Sequence, residues 1–494
     1  MSETPEQTPA PTPNPKVAEA LSYLEAAEQS ANSGDASRAA YTVQLYDQAV
    51  EKLAELAGEG ANTARLQALA WVGRASIKRT QGPEGLLEAL GNFDQAINLI
   101  KGASVEAESE DVRKNDLADI WINRGITQLG SQAPEAPAEA LRNFDEAIEL
   151  RRSLPAGPEH QYAYGLADAY MHRAAALGRS QSHGEAVKSF EEGIAVMGTL
   201  PIDENDWFRH QLAIAHINRA AALQAQSAED SLVKALGAVD EAIALLRGHR
   251  LLERNEGKHL LAACLINRAG LILSGNSAET ALQAKECIAE SRSLTDALEK
   301  TEPNFADLGI KARHAFSRMT GLVLSEAGVK TDADKELMDA ATDAVDEGLA
   351  LWREWEQRGV GAFRQVSSQL FHFGCMLYLQ HQPQFLAEFV LENLDPKRSA
   401  LAVVSTPFMQ QAGVEAVAIA TKQLEDQGIS ADVVTLGAER LSEALRSLRG
   451  AQARFQELHQ EALKVQAQMK AQAEAQARAQ AEGSAPSNPQ PGVN

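Results

Sequence analysis

The sequence predicts an all-α solenoid of stacked antiparallel helix pairs, and three observations predict it. A five-residue phrase recurs as WINRG at 121–125, YMHRA at 170–174, HINRA at 216–220 and LINRA at 265–269. A second phrase recurs as FDQAI at 93–97, FDEAI at 144–148, FEEGI at 190–194, VDEAI at 239–243 and VDEGL at 345–349. The arginine of the first phrase stands at Arg74, Arg124, Arg173, Arg219, Arg268 and Arg318, in steps of 50, 49, 46, 49 and 50 residues. Self-similarity at a fixed period marks one supersecondary unit stacked many times, which alone cannot bury its apolar face and gains a core from its neighbours.

Taken in order, residues 1–15 are rich in Pro, Thr and Glu and have little to bury, so they are expected to be a disordered leader. The array begins near Pro15 with an apolar helix around Leu21 and Leu24, paired with YDQAV at 46–50. Within each unit apolar residues recur three and four apart, and Gly82-Pro83, Gly130-Ser131 and Ser182-His183-Gly184 separate its two helices. A weaker second phrase, KECIA at 285–289, fills the gap of 106 residues between 239 and 345, which makes seven helix pairs over 16–357. This sixth unit, with Lys285 near the place of the bulky residue, is expected to be the weak joint. Residues 358–430 are expected to cap the array with short helices cut by Pro383, Pro396 and Pro407, with Phe371-His372-Phe373-Gly374 as the candidate for an eighth first helix. From 431 to 482 no proline interrupts a long helical pattern. Its residues Leu441, Leu445, Leu448, Phe455, Leu458, Ala462, Val465 and Met469 form a heptad seam that asks for a partner helix. That partner is a second copy, another protein or this chain's own groove. Residues 483–494 are expected to be a disordered tail.

Composition narrows the function classes. A formal charge of -22, from 68 acidic against 46 basic residues, disfavours nucleic acid and anionic membrane, whose recognition draws on concentrated Lys and Arg. No stretch approaches the roughly 18 apolar residues of a membrane span, and the start has neither a basic nor an apolar signal region. A cytoplasmic location is the expectation. Cys264, Cys287 and Cys375 are scattered and lack CxxC spacing, so they are read as buried small hydrophobes. The eleven histidines include no HExxH and no zinc-spaced cluster, and neither a Gly-rich phosphate loop nor a GxSxG turn occurs. The expectation is a protein without catalysis, cofactor or metal. His172 stands where other units have Asn123 and Asn218, which makes it a repeat position and not a base.

The two phrases in this order resemble the tetratricopeptide repeat, and the Asn-Arg-Gly/Ala form looks like a bacterial variant of it. Ala140, Phe144 and Ala147 match the family's second helix, as do Ala89, Phe93 and Ala96, and Ala186 and Phe190 with Gly193. The match covers about 16–357. The family repeats every 34 residues, however, whereas this chain takes 46 to 50, so longer helices are expected, such as one over 159–178. The resemblance implies a right-handed superhelix and a peptide groove made by the first helices. Counted by the family's positions, that groove includes Asp119, Ile122, Ile126, Asp168, Met171, Ile214, Ile217 and Ile266, an apolar and not a basic set. The Lys/Asn/Arg set with which some members clamp a C-terminal carboxylate is missing. Such a groove suits an amphipathic helix; the alternative is that longer helices close the superhelix and make these residues core.

Two further features have two readings each. The arginine ladder either lines a face for a carboxylate-rich partner or lies against the acidic pair of the second phrase, such as Asp145-Glu146 or Asp240-Glu241, in its own or the next unit. Residues 360–410 hold six of the thirteen phenylalanines, Phe363, Phe371, Phe373, Phe385, Phe389 and Phe408, as either an exposed docking patch or the end of the core. The functional expectation is a scaffold or adaptor that binds a partner's peptide or amphipathic helix in the solenoid groove and self-associates or recruits through the C-terminal helix. The alternative is a regulatory sensor whose C-terminal helix occupies its own groove until displaced.

Overall fold

The structure, a computed structural model, describes residues 15–394 apart from 61, 104–108, 132, 158–159, 229, 248–249, 276 and 361–362, together with Lys422. The leader, the segment 395–430 apart from Lys422, the heptad seam from Leu441 to Met469, Phe408 and the tail lie outside the described residues. Among the described residues there are helices and no strands. They divide into two compact units, one ending at Cys264 and one beginning at Leu265.

In the first unit the helices are α1 (Pro15–Asn32), α2 (Ala39–Gly58), α3 (Ala64–Lys78), α4 (Gly82–Gly102), α5 (Glu110–Leu129), α6 (Ala136–Arg152), α7 (Gln161–Arg179), α8 (His183–Met197), α9 (Asp206–Gln226) and α10 (Ser231–Leu246), with α11 (Asn255–Leu273) crossing the boundary. Through α11 each first phrase lies on an odd-numbered helix, and the second phrases of this unit lie on the even-numbered helices. The long period is taken up by the helices: α5 has 20 residues and α9 has 21, about 30 Å each at 1.5 Å per residue. Starts are marked by residues that satisfy the first free N–H groups. The Ser109 hydroxyl accepts from the Val112 amide, the Asn205 side chain accepts from the Trp207 amide, and Pro83 and Pro137 sit in first turns that need no such bond.

The recurring residues are packing residues. Tyr46, Phe93, Phe144, Phe190 and Val239, which open the second phrases, are all buried. Opposite them the small residue of the first phrase lets the paired helix close in: a Cβ on Gly125 would lie 2.6 Å from the Phe144 ring, and Ala75, Ala174 and Ala220 hold the same place buried. One cluster joins α5, α6 and α7 through Ile122, Phe144, Ile148 and Tyr170, and the next joins α7, α8 and α9 through Ala167, Met197 and Phe208. Each of these pairs therefore shares its core with the next first helix, the arrangement of an α-solenoid.

In the second unit, α12 (Ala278–Gln283) and α13 (Lys285–Thr295) take the place of one second helix; α14 (Pro303–Ala327) and α15 (Asp332–Gln357) form a long pair, and α16 (Arg364–His381) and α17 (Pro383–Leu394) complete an eighth. A capping box between Thr331 and Asp334 opens α15, and the Thr331 hydroxyl first, then the Thr331 and Lys330 amides, hold the Asp334 carboxyl below the usual carboxylate range. The core gathers Val345, Trp352, Trp355, Phe371, Tyr378 and Phe389, with Phe371 stacked on Phe389 at 5.5 Å. Phe363, Phe371 and Phe389 are thus core, Phe373 packs against it partly buried, and Phe385 is exposed. The three cysteines are free and buried, and burial pushes the Cys264 and Cys375 thiols up to about 12.

Candidate binding groove

The arginine ladder is structural. Arg74, Arg124, Arg173 and Arg219 reach back to Asp47, Asp94, Asp145 and Glu191 at 2.7, 2.9, 2.7 and 2.9 Å. The acid comes from the preceding unit's second helix, not from the next unit, because the arginine side chain points across the interface that its own first helix makes with the unit before. Secondary contacts stay within the unit, such as Arg74 to Asn92 at 3.0 Å and Arg124 to Asn143 at 3.2 Å. In the second unit Arg268 donates to the Cys287 Sγ and Arg318 to the Leu273 carbonyl.

Between α3 and α5 a groove of about 310 Å³ remains open. Its floor is Ala68, Ile100 and Ile120, all buried, and its α3 wall is Leu66, Leu69 and Val72, with Leu69 49% exposed. The α5 wall is polar, built from Asp116, Asp119 and Asn123 at helical spacing. Arg65 on α3 ties to Asp116 on α5 across one end. Asp119 is held from beneath by Arg151, which is 4% exposed and bonds Asn115, Asp119 and the Gly165 carbonyl, joining α5, α6 and α7. The Asp119 carboxyl sits among protein on several sides while its side chain keeps 54% of its surface, and this partial desolvation raises its pKa against the lowering by Arg151.

The expected groove residues divide. Asp119 lines this groove and Ile266 lines a second cavity, in the second unit. Ile122 is corrected: it is 4% exposed, in the core around Phe144, because α5 turns Asp116, Asp119 and Asn123 outward and the position between them inward. Ile126 and Met171 are half-buried against core clusters, and Asp168, Ile214 and Ile217 are half-buried. Asp168 lies 3.5 Å from His172, whose ring stacks on Phe144 at 5.7 Å. Further along the first helices Tyr164 packs on the exposed Trp207 at 4.4 Å, and burial followed by the Asp168 charge raises the Tyr164 hydroxyl.

Arg151 was missed by the sequence reading, although a signal was present. Seven residues after the bulky opening of the second phrases of the first unit stand Leu53, Ile100, Arg151, Met197 and Leu246, and all five are buried. A charged residue in an otherwise apolar column is usually paired, and this one is. Among the described residues no group of three or more His, Cys, Asp or Glu side chains is placed to hold a metal, and no helix is long and apolar enough to cross a membrane.

No protein-family model and no curated protein matches the sequence. Among solved structures the apo form of RapI is similar at a TM-score of 0.37 and 12% identity, over 63% of this chain and 97% of its own. A Rap protein complexed with competence and sporulation factor is similar at 0.32 and 13% identity, over 86% and 99%. A signal-transduction ATPase with a tetratricopeptide repeat sensor, from Pyrococcus horikoshii, is similar at 0.37 and 10% identity, over 81% of this chain and 55% of its own. Each likeness is too distant to transfer a ligand or a residue role.

Proposed function

We propose that this tetratricopeptide-like stack of lengthened helix pairs is a non-catalytic cytoplasmic scaffold or adaptor that holds a peptide or amphipathic helix of a partner protein. The observation that carries the reading is the open α3/α5 groove, where an apolar wall with the half-exposed Leu69 faces a polar wall of Asp116, Asp119 and Asn123. An amphipathic helix presents that pairing of faces, with apolar anchors one turn apart and polar residues beside them. The bond from Arg65 to Asp116 and the seat that Arg151 makes for Asp119 fix the walls in advance, so little ordering opposes binding. The segment 431–482, with its seam from Leu441 to Met469, supplies self-association or recruitment in this reading.

The test is affinity purification of the tagged full chain from its native cells, with mass spectrometry, beside Leu69→Asp and a chain lacking 433–494. Leu69 is exposed enough for Leu69→Asp to keep its helicity by circular dichroism. Loss of a stoichiometric partner in that variant is the expected result, and an unchanged yield would overturn the groove reading. Truncation is expected to abolish self-association and spare the partner; tighter partner binding on truncation would instead assign the sensor whose own C-terminal helix blocks the groove.

A further inference from the structure

We infer that the exposed face of Trp207, where α9 meets α7 in the first unit, is a docking site for an arginine side chain of a partner protein. The site is separate from the α3/α5 groove and goes beyond the reading of it. Tryptophan–arginine pairs recur within this chain. Trp71, Trp121 and Trp355 each carry a guanidinium over the ring, from Arg74, Arg124 and Arg358, at 5.7, 5.8 and 4.8 Å. Trp352 is fully buried. Trp207 is the exposed tryptophan of the five, at 48%, and among the described residues no cation lies over its ring.

The outward position of this ring is set locally. The Asn205 side chain accepts from the Trp207 amide at the start of α9, and the next residue, Phe208, turns into the core. Neighbouring residues of a helix point about 100° apart, which leaves Trp207 at the surface. Tyr164 on α7 packs against the indole at 4.4 Å and Phe208 at 5.3 Å, so the ring is held before a partner arrives. The surroundings suit a cation. Asp168 stands on α7 between Tyr164 and His172, one turn from each, 3.5 Å from the His172 ring and near enough for its charge to act on the Tyr164 hydroxyl. His210 lies one turn after Trp207; burial lowers its pKa against the Glu256 charge, so it adds no positive charge at pH 7. Arg209 is buried and tied to Asp203 at 2.9 Å. A planar guanidinium lies flat on an indole and still donates from its edge to a carboxylate such as Asp168. A lysine ammonium offers neither the flat face nor the fork.

The experiment is fluorine NMR of the full chain labelled with fluorotryptophan, in about 150 mM sodium chloride, where attraction to the net charge is screened beyond about 8 Å. The probe is the blocked peptide acetyl-Leu-Arg-Leu-Arg-amide, with the same peptide carrying lysine or glutamate in place of arginine as comparators. Trp207→Phe assigns the resonance, and Asp168→Asn tests the carboxylate. A saturable shift of the Trp207 resonance is expected with the arginine peptide, several-fold weaker binding with lysine and none with glutamate. Asp168→Asn is expected to weaken the arginine peptide several-fold while the other four tryptophan resonances stay in place, which shows that the variant is folded. Absence of a saturable Trp207 shift up to about 10 mM peptide, lysine or glutamate binding as tight as arginine, or unaltered affinity in Asp168→Asn would each overturn the assignment. So would a shift confined to Trp71 and Trp121, which pack on the core beneath the α3/α5 groove and would place the peptide there.

Discussion

Gly165 on α7 is small because Arg151 passes over it: a Cβ there would lie 2.4 Å from the guanidinium carbon. The arginine cannot withdraw without leaving its own charge buried and the Asp119 carboxylate unpaired. Gly165→Ala therefore sets two effects against each other. Alanine gains up to about 1 kcal/mol of helix propensity over glycine, while overpacking and the displaced ion pair cost about 1–3 kcal/mol. The clash is expected to win, giving a net loss of about 1–2 kcal/mol in urea unfolding. Gly237 on α10 is the control, since it is exposed and nothing lies within 4 Å of the added methyl. Gly237→Ala is expected to stabilise by about 0.5–1 kcal/mol. Equal effects at the two positions would mean that the Arg151 bridge does not constrain the helix.

At the scale of the element, the sixth second helix is where the stack departs from its rule. Lys285 is exposed, and the bulky place belongs to Ile288, three residues on, with Cys287 before it. In that register Ala284, Cys287, Ile288, Ser291 and Thr295 face inward where α10 has Ala235, Ala238, Val239, Ala242 and Leu246. A serine and a threonine replace an alanine and a leucine, so less apolar area is buried. The helix is also split into pieces of 6 and 11 residues, lengths at which helices depend on packing for stability. Amide hydrogen exchange is expected to be faster over 275–300 than over α3 to α10; uniform protection would remove the weak joint. Helix pairing was legible in the sequence because packing residues repeat, as Phe93, Phe144 and Phe190 do. The groove's phase was not, since the family's positions belong to shorter helices, and lengthening changes which side of α5 faces α3. Hence Ile122 lies in the core while Asp119, three residues before it, lines the α3/α5 groove.

At the scale of the whole chain, net charge and local pairing act in opposite directions. The ladder arginines and their acids are partly open to water, with arginine side chains 17% to 27% exposed, so each pair is worth at most about 1 kcal/mol and weakens as salt rises. The surplus of acid, 68 residues against 46 basic ones, repels itself in any compact form, and the same salt screens that repulsion. In a solenoid stability is a sum of unit and neighbour terms, so repulsion repeated along the array accumulates while each ion pair acts at one interface. The surplus is expected to dominate at pH 7.5, so the unfolding temperature should rise between about 20 and 300 mM sodium chloride, lengths of screening that differ by roughly fourfold. Near pH 5, close to the isoelectric point of about 5.0, the surplus vanishes and the remaining pairs decide, so the rise should disappear or reverse. A fall in unfolding temperature with salt at pH 7.5 would mean that the ladder, and not the net charge, sets the electrostatic balance of the fold.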